Sequence, residues 1–179
     1  MSSEPPAGRL AGHDEPGPTL RRGRAVVAGE AVGRALVVEN GLSFAMGVDV
    51  VEGRITDVHS THAGVSLAGR VLVMPTGRGS SSASTSLAEA IRLGTAPAAI
   101  VLREVDQILV VGAIVGRLLY GRICPILIVG TVDHAAIETD MMVTIAADGS
   151  FRVGARPGSA VSGPAPEATS VSPLDMAKE

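Results

Sequence analysis

Val71-Leu72-Val73-Met74-Pro75-Thr76-Gly77-Arg78-Gly79-Ser80-Ser81-Ser82-Ala83-Ser84 runs from an unbroken apolar segment, through a proline, into a glycine- and serine-rich loop. Four consecutive apolar residues at 71–74 predict a strand buried on both faces. Pro75 lacks the N–H that a further ladder bond would need, so it closes the strand. Beyond the loop the spacing becomes helical. Leu87, Ala88 and Ile91 share one face of a helix predicted over 84–93, and Gly94 suits the left-handed residue that follows a helix. Ser86 and Glu89 fit a capping box, which leaves the start of that helix open by a few residues.

Short strands are predicted on either side of this unit. Upstream, Arg24 to Val27 and Ala31 to Val38 are apolar runs parted by Gly29-Glu30. Phe44 to Val50 predicts a further strand, and Glu52-Gly53 a turn before Arg54-Ile55-Thr56. Downstream, Ala98 to Leu102 and Pro125 to Val129 read as buried strands. Between them Asp106 is placed to cap a helix over 107–120, ended by Gly121. That helix is apolar almost all round, which predicts burial on more than one face. Met142 to Ala146 and Phe151 to Val153 flank Asp148-Gly149 and predict a terminal hairpin. The class is therefore mixed α/β, with early and late strands pairing into a barrel-like or sandwich layer. Residues 1–19 and 156–179 are rich in proline and lack periodicity, so they read as a disordered leader and tail around a folded unit at 20–155.

Composition excludes several classes of function. Apolar residues make up 46% of the 179, but aromatics only 2%, so the core must be built from Val, Ile, Leu and Ala. A net charge of -3 and so few aromatic rings argue against binding to nucleic acid. The longest apolar stretch, Ile108 to Val115, is far too short for a membrane span. No apolar signal segment opens the chain, so a cytoplasmic location is expected. The single cysteine, Cys124, can form no internal disulfide and cannot hold an iron–sulfur cluster alone.

The loop at 75–84 carries the strongest chemical signal. Its glycines let successive N–H groups turn toward one point, and the start of a helix adds positive potential there. Such a loop binds anions, and the same donors favour a serine alkoxide over the hydroxyl. Arg78 can add a bidentate contact to a carboxylate. The loop has no lysine for a P-loop, and Ser82 stands where a dinucleotide-binding loop needs its third glycine. On spacing alone a flexible capping loop with solvated serines is the favoured reading, because Gly and Ser are common in any loop.

A longer pattern surrounds this loop. It consists of Ile55-Thr56-Asp57, His59, His62-Ala63-Gly64 and Ser66-Leu67-Ala68-Gly69-Arg70-Val71-Leu72-Val73. Gly77-Arg78-Gly79-Ser80-Ser81, Gly94-Thr95-Ala96-Pro97-Ala98-Ala99-Ile100-Val101 and Pro125-Ile126-Leu127 follow in order. Over these residues the chain resembles the small subunit of aconitase X, the family of phosphomevalonate dehydratase and cis-3-hydroxy-L-proline dehydratase. The resemblance implies an aconitase-like swivelling β/β/α domain. It implies hydro-lyase activity with Ser80 as the catalytic base, and Gly77, Arg78, Gly79, Ser81 and Ser82 around the substrate. It also implies an aconitase X large subunit as partner, with the iron or iron–sulfur cluster on that chain and no cofactor on this one. The long leader and tail depart from the family pattern.

The remaining signals are weaker. His59 and His62 have a spacing that metal ligands can show, but no Glu or Cys completes a set, so a loop bonded to backbone is the reading. The resemblance leaves His62 a substrate-side or interface role. Arg103, Glu104 and Asp106 read as a helix cap with an exposed ion pair. Arg21, Arg22 and Arg24 read as a solvated patch or a partner contact, and Cys124 as a buried, inert thiol. One lysine against fourteen arginines is unlike hyperthermophile usage, which favours a mesophilic enzyme acting on cis-3-hydroxy-L-proline. Mevalonate 5-phosphate is the alternative substrate, and a non-catalytic anion-binding or scaffold module the alternative role.

Overall fold

The computed structural model describes residues 19–156. The disordered leader and tail expected from the sequence therefore lie outside the described residues, apart from Thr19 and Arg156. In chain order the strands and helices are β1 (Leu20–Arg22), β2 (Arg24–Val27), β3 (Ala31–Val37), β4 (Val48–Asp49), β5 (Arg54–Ile55), β6 (Arg70–Met74), α1 (Ser82–Leu93), β7 (Ala99–Leu102), α2 (Gln107–Tyr120), β8 (Ile126–Ile128), α3 (Thr131–Ala135), β9 (Met142–Ile145) and β10 (Ser150–Val153).

Eight of the strands form one sheet in the order β1-β10-β9-β3-β6-β7-β8-β2, while β4 and β5 pair separately. The strands β3, β6, β7 and β8 run parallel, with α1 and α2 as the crossovers between β6, β7 and β8. The outermost strands, β1 and β2, are joined by Gly23 alone, so the two edges of the sheet meet and the sheet must curl. This is the barrel-like arrangement expected from the early and late strands.

Alternation along the parallel strands separates two cores. Leu36, Leu72, Met74, Ile100, Leu102 and Ile126 pack with Ala83, Leu87, Ile91, Leu109 and Ala113 of the helices. The alternate residues Ala35, Val71, Val73, Ala99, Val101 and Leu127 turn the other way and pack with Val143, Ile145 and Phe151 of the hairpin. Every β6 residue from Val71 to Met74 is buried, as an all-apolar strand covered on both faces requires.

Several expectations are corrected. Helix α1 begins at Ser82 rather than Ser84, and no capping box forms: Glu89 pairs with Arg92 instead, at 2.6 Å. The segment 44–50 is mostly turn, with only Val48–Asp49 extended, although Phe44 is fully buried. Helix α2 buries Leu109, Gly112, Ala113 and Gly116, but Val111, Ile114 and Leu118 are exposed. Its apolar outer face is therefore not the second buried face that its composition predicts. Leu20–Arg22 forms a strand, and Arg21 pairs with Asp133 at 2.9 Å. Neither β1 nor α3 was expected. The two glycine stops hold: Gly94 and Gly121 both adopt left-handed backbone.

Candidate active-site loop

Strand β6 delivers the chain to the loop at its C-terminal end, where neighbouring segments clamp it. The Arg78 N–H donates to the Leu42 carbonyl at 3.1 Å. A Cβ on Gly77 would lie 2.3 Å from Asp106 Oδ2, and one on Gly79 would lie 2.6 Å from Ser43 Oγ. Gly79 also has φ +108°, a backbone that only glycine adopts without strain. Asp106 is in turn fixed as the cap of α2, its Oδ1 accepting from the N–H groups of Ile108 and Leu109 at 2.9 and 3.1 Å. The loop is thus approached closely at Gly77 by Asp106 and at Gly79 by Ser43.

The first turn of α1 is left open. Ser81 occupies the N-cap position with no side-chain cap bond. The N–H groups of Gly79, Ser80, Ser81 and Ser82 have no partner among the described residues. Ser82 Oγ shares a 2.7 Å hydrogen bond with that of Ser80. The Ser84 and Thr85 hydroxyls donate back to the carbonyls of Ser81 and Ser82, at 2.7 and 2.8 Å. Residues 78–82 are all exposed. The arrangement can hold an anion and can stabilise a deprotonated serine oxygen.

Beside the loop lies a cleft of about 780 Å³, lined among others by Asp57, His62, Arg78, Arg103, His134 and Glu138. Of the candidate loop residues only Arg78 enters its lining, and Ser80, Ser81 and Ser82 stand outside it. Arg78 Nη2 donates to Asp57 Oδ2 at 2.8 Å. Asp57 Oδ1 also accepts the His59 N–H at 3.0 Å. His62 Nε2 lies 2.9 Å from the Val37 carbonyl; a carbonyl only accepts, so that nitrogen carries the proton. His62 therefore lines the cleft near Arg78, tied to backbone as expected of a loop histidine. On α3, burial pushes the His134 pKa below its ordinary value, against a raising hydrogen bond with the Met74 backbone.

The described residues do not suit a metal or cluster. Among the described residues no group of three His, Cys, Asp or Glu stands together as ligands. Cys124 is fully buried, donates to the Pro97 carbonyl, and has its thiol pushed up to about 12 by burial. No helix among the described residues is long and apolar enough to cross a membrane. The sequence did not reveal three neighbours of the site: Ser43 against Gly79, Asp106 against Gly77, and Asp57 paired with Arg78. Each lies more than twenty positions from its partner, and only the fold brings them together.

The comparisons with known proteins agree with this arrangement. The family model described as the aconitase X swivel domain matches residues 20–153. The cis-3-hydroxy-L-proline dehydratase of Pseudomonas aeruginosa is 49% identical over 107 residues, which are 60% of this chain and 18% of that one. The phosphomevalonate dehydratase small subunit of Thermococcus gammatolerans is 38% identical over 127 residues, covering 71% of this chain and 91% of that one. The crystal structure of Thermococcus kodakaraensis aconitase X in its holo-form superposes with a TM-score of 0.67 at 33% identity, covering 75% of this chain and 98% of that one. The match thus spans under a fifth of the Pseudomonas protein but nearly all of each Thermococcus chain, so the same unit occurs within a longer protein and as a separate small subunit. With its curled sheet, its two crossover helices and its Gly77-Arg78-Gly79-Ser80 loop, this chain belongs to the aconitase X swivel-domain family.

Proposed function

We propose that this chain is the small subunit of a hydro-lyase that removes water from a hydroxylated carboxylic acid, with Ser80 as the base. The observation that carries the reading is the open turn at 79–82, where four N–H groups have no partner among the described residues and the Ser80 hydroxyl follows directly on Gly79 and Arg78. In the reaction a base takes a proton from carbon, a carbon–carbon double bond forms, and the carbon–oxygen bond to the leaving hydroxyl breaks. A free serine hydroxyl is far too weak a base at neutral pH, so the alkoxide needs stabilisation. Backbone donors and the α1 dipole supply it, since both favour the charged form. Arg78 binds the substrate carboxylate.

The other half of the site belongs to a large partner chain, as the name small subunit implies for the Thermococcus relatives. The iron or iron–sulfur group expected of the family belongs on that chain, since no ligand set for it stands among the described residues of this one. The complex is expected in the cytoplasm. Cis-3-hydroxy-L-proline is the preferred substrate, supported by the 49% identity to the Pseudomonas enzyme. A second reading, mevalonate 5-phosphate, is favoured by alignment with nearly the whole of the Thermococcus small subunits.

The test is co-expression with the large chain and assay on both substrates. This chain alone is expected to be inactive. Ser80→Ala in the complex is expected to lower turnover by about 10²–10⁴, the range for a general base. If Ser80→Ala kept wild-type turnover, the base assignment would fail. If the complex dehydrated neither substrate nor any related hydroxy acid, an anion-binding or scaffold role would replace the enzyme reading.

A further inference from the structure

We propose that Asp57 is a positioning residue for Arg78, holding its guanidinium in the cleft with one edge open to the substrate carboxylate. The inference rests on the reading of Arg78 as the carboxylate-binding group. Both ends of Arg78 are held. Its main-chain N–H donates to the Leu42 carbonyl at 3.1 Å, and its Nη2 donates to Asp57 Oδ2 at 2.8 Å. Asp57 is the better-shielded partner, with its side chain 17% exposed against 49% for Arg78.

Asp57 is itself fixed. Its Oδ1 accepts the His59 N–H at 3.0 Å, its carbonyl accepts the Ser60 N–H at 3.0 Å, and the preceding residue, Thr56, donates its N–H to the Gly47 carbonyl at 2.9 Å. One carboxylate oxygen is thus committed to a local turn and the other to the arginine. A guanidinium has five N–H donors in a planar fork. The hydrogen bond to Asp57 uses one of them, and both residues line the same cleft. The remaining donors stay available for a second carboxylate. A long, half-exposed side chain would otherwise sample many rotamers, and substrate binding would bear the cost of ordering it.

A merely structural ion pair between the 57–62 and 75–82 segments is the competing account. Exposed pairs contribute little to stability. The two accounts therefore separate on substrate affinity and on arginine order.

The experiment has two parts. In the isolated chain, the Arg78 side-chain Nε–Hε NMR signal is expected to be resolved in wild type and averaged with solvent-exposed arginines in Asp57→Asn. An unchanged signal in Asp57→Asn would overturn the proposal. In the assembled complex, assayed on cis-3-hydroxy-L-proline and on phosphomevalonate, Asp57→Asn is expected to raise KM about tenfold with kcat within about threefold, as lost uniform binding does. Asp57→Glu should recover part of the loss. Arg78→Ala should raise KM at least as far, and adding Asp57→Asn to it should change nothing more. Raised KM in Arg78→Ala but not in Asp57→Asn would overturn the positioning role while leaving Arg78 in place. Unchanged KM in Arg78→Ala would remove the reading of Arg78, and this inference with it. Additive losses in the double variant would also overturn it, because Asp57 would then act other than through Arg78.

Discussion

Arg22 and Arg24 are separated by one residue yet pair to opposite ends of the sheet order, Arg22 with Ser150 of β10 and Arg24 with Ile128 of β8. The residue between them, Gly23, is where the curled sheet closes, and its N–H donates to the Gly149 carbonyl at 2.9 Å. A Cβ at position 23 would lie 2.8 Å from the Ile128 carbonyl oxygen and 2.8 Å from Leu127 Cγ. Backbone cannot yield as a side-chain tip can. Gly23→Val is therefore expected to destabilise the domain by about 1–3 kcal/mol, the usual cost of overpacking. Urea denaturation should show a lower midpoint with unchanged slope; an unchanged midpoint would mean that the closure is looser than described.

The two helices make a second close contact through glycine. A Cβ on Gly112 would meet the Ser84 carbonyl oxygen of α1 at 2.6 Å, whereas one on Gly116 would meet only Ile91 side-chain atoms, at 2.7 Å and beyond. Alanine in a helix interior is favoured over glycine by about 1 kcal/mol. At position 116 the obstacle includes Ile91 Cγ2 and Cβ, at 2.7 and 3.1 Å, on a stiff β-branched side chain, so that gain offsets only part of the clash and Gly116→Ala is expected to destabilise, though less than a clash with backbone. At 112 the obstacle is backbone, and Gly112→Ala should cost about 1–3 kcal/mol. Equal thermal shifts for the two variants would contradict this.

The parallel strands and both long helices were legible because their signals are local. Val71 to Met74 is uniformly apolar, Asp106 precedes a helical run, and Gly94 and Gly121 follow one. The strand β1 was not legible, since Leu20–Arg22 has one apolar residue in three and depends on β10, more than a hundred residues away. Helix α3 spans only five residues, too short to show a period. Phe44 illustrates the opposite error: its apolar neighbourhood suggested a strand, but burial here is met by a turn. At the site, the Gly77–Ser82 loop could be read from spacing and resemblance. Its clamps at Ser43, Asp57 and Asp106 depend on tertiary contacts that no local pattern encodes.

His134 gives the domain a pH-dependent contribution. Burial comes first in lowering its pKa, the Met74 backbone bond opposes this, and the nearby Arg103 cation adds to the lowering. With the folded value below the ordinary 6.5, the unfolded chain binds more protons in the window between the two. Stability from this residue is complete above about pH 6.5 and declines as pH falls toward the folded pKa. Replacing His134 with Gln should flatten that decline. The check is the wild-type minus His134→Gln difference in unfolding midpoint at pH 7.5 and 5.5. A difference that stayed constant between the two pH values would rule the coupling out.

Ser82 offers a sharper test of the loop than its position suggests. Taken as a helix cap, its hydroxyl would matter little to turnover. In the structure it caps nothing, and lies 2.7 Å from the Ser80 Oγ. When Ser80 is deprotonated it can only accept, so the Ser82 hydroxyl must donate to it. That charge-assisted bond adds to the backbone donors that would stabilise the alkoxide. If Ser80 is the base, as proposed, Ser82→Ala should therefore reduce turnover in the assembled complex by about tenfold, less than Ser80→Ala, because one donor of several is removed. It should also move the ascending, low-pH limb of activity to higher pH, since the alkoxide would form less readily. Ser81 forms no such bond, so Ser81→Ala should leave the pH profile in place. If Ser82→Ala lowered turnover without moving the profile, the bond would serve geometry alone. If Ser81→Ala moved it instead, the reacting oxygen would be that of Ser81.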